Sequence, residues 1–66
     1  MKVLIDGEIV KVSSKKRKNA KVMDLIKELE MSRETVIARV NGKIVTEFDE
    51  VHSNDTVEFI RVSTGG

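Results

Sequence analysis

Apolar and polar residues alternate toward both ends of the chain, and only near its middle do apolar residues fall into a three-to-four-residue spacing. Lys2-Val3-Leu4-Ile5 and Ile9-Val10-Lys11-Val12 flank Asp6-Gly7, with Glu8 opening the second run. An Asp-Gly pair accepts the positive φ values of a tight two-residue turn, so this pattern predicts an antiparallel hairpin. Val22, Leu25, Ile26 and Leu29 then stand at i, i+3, i+4 and i+7, one apolar stripe along a helix. Met23 and Met31 flank the stripe as core edge or gap filler. Asn19 is the candidate cap, Asp24 lies near the positive end of the helix dipole, and Ser32 begins the exit. A helix of about ten residues is too short to be stable alone, so it needs a sheet to lie on.

From Thr35 to Val40 the β-branched residues return, followed by Asn41-Gly42 and then Lys43-Ile44-Val45. Asn-Gly is a strong hairpin signal, so these two strands are expected to be antiparallel neighbours. Thr46 to Asn54 is mostly polar, with Phe48 and Val51 expected to dip into the core. Asn54 is a candidate left-handed turn position, and Asp55 to Val62 resumes the alternation as a last strand. The order strand, strand, helix, strand, short strand, strand predicts an α+β fold: a mixed sheet of four to five strands with one main helix packed on one face. Residues 1–62 are expected to form a single domain and 63–66 a flexible tail.

Strand parity separates the two faces of such a sheet. Val3, Ile5, Val10, Val12, Val36, Ala38, Val40, Val57 and Phe59 form the inward set. The opposite set is Lys2, Leu4, Ile9, Lys11, Ile37, Arg39, Glu58, Ile60 and Val62, which one helix cannot also cover. An apolar patch of Leu4, Ile9, Ile37, Ile60 and Val62 fringed by charge is therefore expected in solvent, either as a partner-binding surface or as a by-product of strand propensity.

Size and chemistry narrow the function. Sixty-six residues leave room for one modest core and little for a deep substrate pocket. Leu, Ile, Val and Phe make up 21 of them, well above the level at which disorder is the default, so the chain is expected to fold. No apolar run approaches the roughly 18 residues that span a bilayer, and Met1-Lys2 leads into a strand pattern rather than a signal peptide, so the expected location is the cytoplasm, with no membrane partner. Cysteine is absent, which removes disulfides, thiolate nucleophiles and thiolate metal sites. His52 is the single histidine, and with Asp49 and Glu50 nearby it reads as solvated surface rather than an acid-base or metal site. No catalytic constellation is found, so the chain is not expected to be an enzyme.

Twelve basic and eleven acidic residues give a net charge of +1, with the basic ones concentrated in Lys15-Lys16-Arg17-Lys18. Four adjacent cations belong in a solvated loop. They are candidates for electrostatic steering of an acidic partner or for phosphate contact. Nucleic-acid binding ranks below steering because the two aromatic residues, Phe48 and Phe59, are both assigned to the core, leaving no stacking platform.

The chain ends Ser63-Thr64-Gly65-Gly66 directly after the last alternating run. Two glycines have no side chain to pack and lose the most freedom on ordering, so this end is expected to be mobile. Read alone it fits a frayed terminus or an expression scar as well as a slim thread entering a partner's active site.

Taken together, Asn41-Gly42-Lys43-Ile44-Val45, Asp55-Thr56-Val57-Glu58-Phe59, the helical stripe and terminal Gly65-Gly66 resemble the ThiS/MoaD group of ubiquitin-like sulfur carriers and their archaeal small-modifier relatives, across essentially the whole chain. Asn54-Asp55 stands where relatives often have Gly-Asp, and the basic run is a second departure. The resemblance implies a β-grasp fold and a carrier that holds no cofactor of its own. An adenylating enzyme of the ubiquitin-activating type would use ATP and magnesium to activate the Gly66 carboxylate. A persulfide donor would then convert it to a thiocarboxylate for thiazole synthase, the large subunit of molybdopterin synthase or a tRNA thiolation enzyme. The alternative is a modifier joined through Gly66 to lysine-bearing proteins, and a purely structural interaction module ranks lower. Gly65 and Gly66 are thus the expected activated terminus, Ser63 and Thr64 its tail, and Leu4, Ile9, Ile37, Arg39, Ile60 and Val62 the expected partner-binding set.

Overall fold

Asp6 (φ 50°) and Gly7 (φ 88°) turn the chain between β1 (Lys2–Ile5) and β2 (Glu8–Val10), the antiparallel hairpin that the Asp-Gly pair predicts. The computed structural model describes residues 1–12 and 20–62. Lys15 to Lys18, the cap position expected at Asn19 and the tail Ser63 to Gly66 lie outside the described residues. β2 stops two residues earlier than the alternation suggests, but Val12 is still buried beyond its end.

A two-residue strand, β3 (Ala20–Lys21), leads straight into α1 (Val22–Glu28). The helix begins at Val22 with Lys21 as its N-cap, so the expected cap at Asn19 is displaced by two residues. In place of an N-cap side chain, one local carboxylate and two distant carbonyls receive the first N–H groups. Lys21 N–H donates to Asp24 Oδ2 at 2.9 Å, Val22 N–H to the Asp49 carbonyl at 2.9 Å, and Met23 N–H to the Glu47 carbonyl at 2.9 Å. Three of the four orphan donors of the first turn are thereby satisfied. At the other end Glu30 takes φ 56°, with Glu30 N–H bonded to the Lys27 carbonyl and Met31 N–H to that of Ile26. This is a Schellman ending built on glutamate instead of glycine.

β4 (Val36–Val40) and β5 (Lys43–Val45) meet at Asn41 (φ 52°) and Gly42 (φ 87°) as expected. Between β5 and the last strand, β6 (Glu50–Val51) pairs with β3 in a small antiparallel ribbon that the alternation did not reveal. Val51 enters the core, whereas Phe48 is 60% exposed, contrary to its expected place there. A tight turn accounts for this. Thr46 N–H donates to Asp49 Oδ2 at 2.7 Å and Phe48 N–H to Thr46 Oγ1, while the Glu47 carbonyl is turned to the helix. Asn54 also departs from expectation, because it is not in the left-handed region. The turn there is closed instead by Asp55, whose N–H donates to the His52 carbonyl at 3.0 Å and whose Oδ2 accepts from His52 N–H at 2.9 Å.

β7 (Thr56–Arg61) runs through the middle of the main sheet, parallel to β1 and antiparallel to β4. The strand order is β2-β1-β7-β4-β5, a mixed five-stranded sheet with α1 against one face. This is the β-grasp arrangement. Phe59, Leu25, Val3, Val22, Val51 and Val57 are its largest fully buried side chains. Each such side chain contributes about 1.5 to 3 kcal/mol on burial, which is how a helix of 7 residues is held. The inward set is as parity predicts: Val12 and Ala38 join the buried core, and Ile5, Val10, Val36 and Val40 pack against it.

Candidate functional site

The sheet face away from α1 is left uncovered by the described residues and has a defined layout. One row crosses all five strands as Ile9, Leu4, Glu58, Arg39 and Ile44, set by the pairings Leu4 with Ile9, Leu4 with Glu58, Arg39 with Glu58, and Arg39 with Ile44. Arg39 and Glu58 face each other at 3.8 Å in its centre. The apolar residues are therefore split: Ile9, 66% exposed, with Leu4 on one side, and Ile44, 75% exposed, on the other. Ile37 and Ile60 form the next cross-strand pair toward the end of β7. Val62 is half-buried, and its N–H donates to the Thr35 carbonyl at 2.9 Å. The structure thus brings Leu4, Ile9, Ile37, Arg39, Ile60 and Val62 together on or beside one face. Ile44 was missed by the sequence reading, although the two-residue turn already placed it opposite Arg39.

Where β7 ends, both of its sides remain bonded. In a parallel ladder with Ile5 opposite Phe59, Asp6 N–H donates to the Phe59 carbonyl at 2.9 Å. The next rung falls at Arg61, after β1 has already turned. Arg61 N–H donates instead to Asp6 Oδ1 at 3.1 Å, and Arg61 Nε donates to Asp6 Oδ2 at 2.8 Å. Those bonds, the side-chain one foremost, hold the Asp6 carboxyl below its usual range. Arg61 is the last strand residue before the tail.

At the opposite end, the two sequence stretches that carry the family resemblance are cross-linked. Asn41 Nδ2 donates to Asp55 Oδ1 at 2.9 Å, Thr56 N–H to Asn41 Oδ1 at 3.0 Å, and Asn41 N–H to the Thr56 carbonyl at 2.8 Å. Lys2 N–H adds a bond to the Asp55 carbonyl at 3.0 Å, and the terminal ammonium of Met1 bonds the Ser53 carbonyl. Asp55 is held below its usual range, first by the His52 N–H and then by the Asn41 amide. The Asn-Gly and Asp-Thr positions therefore have structural work, locking one hairpin to the start of β7 and β1.

Asp49, Glu50 and His52 are not assembled into a site. Asp49 closes the Thr46 turn, Glu50 belongs to β6, and His52 is exposed. Among the described residues no three His, Asp or Glu side chains gather closely enough to hold a metal ion. No helix among them is long and apolar enough to cross a membrane.

Comparison with known proteins agrees with this layout. A solved structure of thiamine biosynthesis protein ThiS from Geobacter metallireducens matches with a TM-score of 0.66 and 24% identity, covering all of both chains, and so shares the fold. The ThiS family model matches residues 3–66, which takes in the open face, the Asp6–Arg61 junction and both terminal glycines. The chain belongs to the ThiS family, and with it to the ThiS/MoaD-like sulfur carriers, proteins that are carriers rather than enzymes.

Proposed function

We propose that this chain carries sulfur as a thiocarboxylate on Gly66, in the cytoplasm, after activation by an adenylating enzyme docked on its open sheet face. The observation that carries this reading is the family match extending through Gly65-Gly66, taken together with a sheet face that no described element covers.

A free α-carboxyl group, with an ordinary pKa of roughly 3.5, is an anion near neutral pH and a poor electrophile. Attack of the Gly66 carboxylate on the α-phosphate of magnesium-bound ATP releases pyrophosphate and leaves an acyl adenylate. A partner's persulfide then attacks the carbonyl carbon and AMP departs. Attack by a second thiol on the resulting acyl disulfide frees the thiocarboxylate and leaves a disulfide on the donor side. Magnesium and ATP belong to the activating enzyme. The chain supplies the acyl group, the thread that presents it and the docking face. Thiazole synthase, the molybdopterin synthase large subunit and tRNA thiolation enzymes are the acceptor classes for the sulfur.

Leu4, Ile9, Ile37, Ile60 and Val62, joined by Ile44, supply the apolar contacts of the docking face, and Arg39 paired with Glu58 sets its orientation. Incubation with the activating enzyme of the source organism, ATP, magnesium and a persulfide donor is expected to give an intact-mass species heavier by one oxygen-to-sulfur exchange. Deletion of Gly66 should abolish it. A Gly66 isopeptide on lysine, formed in place of a thiocarboxylate, would favour the modifier alternative. If neither product forms, the carrier reading fails.

A further inference from the structure

We propose that Asp6 is a positioning residue for activation of the C-terminus, its carboxylate standing in for the missing β1 acceptor at Arg61 and fixing where, and in what direction, the chain leaves the sheet. This deepens the carrier reading and rests on it.

The argument begins with the ladder. Pairing of β1 with β7 ends at Ile5 and Phe59, two residues before β7 itself ends. Arg61 N–H would then face the β1 side without an acceptor, while β4 still pairs on the other side through Val36 and the Thr35 carbonyl. A strand held along one edge only is free to twist and peel. Asp6 removes that freedom because a two-residue turn with φ 50° at Asp6 brings its carboxylate to both the main-chain N–H and the Nε of Arg61, 55 residues away. The main-chain bond matters more than the ion pair. Arg61 is 66% exposed, and an exposed pair by itself contributes little.

The consequence appears at the tip. Four residues after Val62 span at most about 14 Å, so the region the carboxylate can reach is set by where the strand ends, and peeling of that end shifts the whole region by ångströms. Reaction at a preorganised site tolerates far less, with about 1 Å of misplacement able to cost two orders of magnitude in rate. A defined root therefore raises the fraction of docked complexes in which the carboxylate meets the nucleotide. Docking itself depends on the sheet face, so Asp6 should act on kcat and the face on KM.

Asp6→Gly tests this, since glycine suits the positive φ of the turn and removes only the acceptor, while Asp6→Asn keeps one oxygen. In ATP-pyrophosphate exchange with the activating enzyme, Asp6→Gly should lower kcat by about five- to tenfold, the scale of one ordinary net hydrogen bond, with KM nearly unchanged. Asp6→Asn should recover most of the loss, and Arg61→Ala, which keeps its N–H, should lose less than Asp6→Gly. Hydrogen exchange should accelerate at the Arg61 N–H while Val57 and Phe59 stay protected. An unchanged kcat in Asp6→Gly, unaltered exchange at Arg61, or loss of protection throughout β7 would each overturn the positioning role while leaving the carrier reading intact. A wild-type chain that forms no adenylate would overturn both.

Discussion

Glu30 shows how a single residue can work against its own backbone. It occupies the left-handed position that ends α1, at φ 56°, where a side chain is disfavoured by roughly 1 kcal/mol and glycine is not. Part of that gain is offset because glycine makes the unfolded chain more flexible. Glu30→Gly should therefore raise stability by about 0.5 kcal/mol, visible as a higher urea midpoint with an unchanged slope. Asp55 works in the opposite sense, since His52 N–H and the Asn41 amide favour its ionised form in the folded chain. A carboxyl whose folded pKa is depressed adds stability that is fully present above its unfolded value, near 4, and is lost as pH falls through the folded value. Wild type should lose stability as pH falls below about 4, and Asp55→Ala should show a shallower loss over the same acid range in urea titrations, with Asp6 responsible for part of what remains.

At the level of elements, the central position of β7 explains how a small domain can leave one sheet face open for the docking proposed above. Its inward residues Val57 and Phe59 are fully buried under α1, so the sheet keeps its shape whatever is attached to the other side. Glu58 and Ile60 are consequently free to face a partner. Ile60→Asp should weaken binding to the activating enzyme by about ten- to a hundredfold, the burial value of one aliphatic side chain, in a calorimetric titration. Thermal unfolding should remain cooperative. Unchanged affinity would remove Ile60 and its cross-strand partner Ile37 from the docking face.

For the whole molecule, a net charge of +1 conceals the concentration of Lys15, Lys16, Arg17 and Lys18 in one stretch. Steering of an acidic activating enzyme predicts that neutralising all four slows association mainly at low salt, because exposed charges are screened beyond roughly 8 Å at physiological ionic strength. Stopped-flow association across a salt series measures this. Submicromolar RNA or DNA binding near physiological salt, lost in the same variant, would reverse the ranking. The exposed Phe48 does not alter it, since one aromatic ring is no series of stacking positions.

The chain by itself determined its hairpins, its helix and the two faces of its sheet, because each depends on local chemistry: Asp6-Gly7 and Asn41-Gly42 specify tight turns, Val22 to Leu29 has helical spacing, and strand side chains alternate. Terminal Gly-Gly and the Asn-Gly and Asp-Thr stretches made the family legible as well. What remained hidden depended on residues far apart in sequence. Helix α1 starts at Val22 because carbonyls of Glu47 and Asp49 receive its first N–H groups, and no local cap at Asn19 is needed. Ala20-Lys21 forms a strand only because Glu50-Val51 lies beside it. Phe48 points outward because the Thr46 to Asp49 turn commits the neighbouring backbone, against the preference of an aromatic ring for the core. Asp6 reads in sequence as half of a turn, and it becomes the anchor of Arg61 only because the sheet places β1 and β7 side by side and in parallel, which no local pattern specifies.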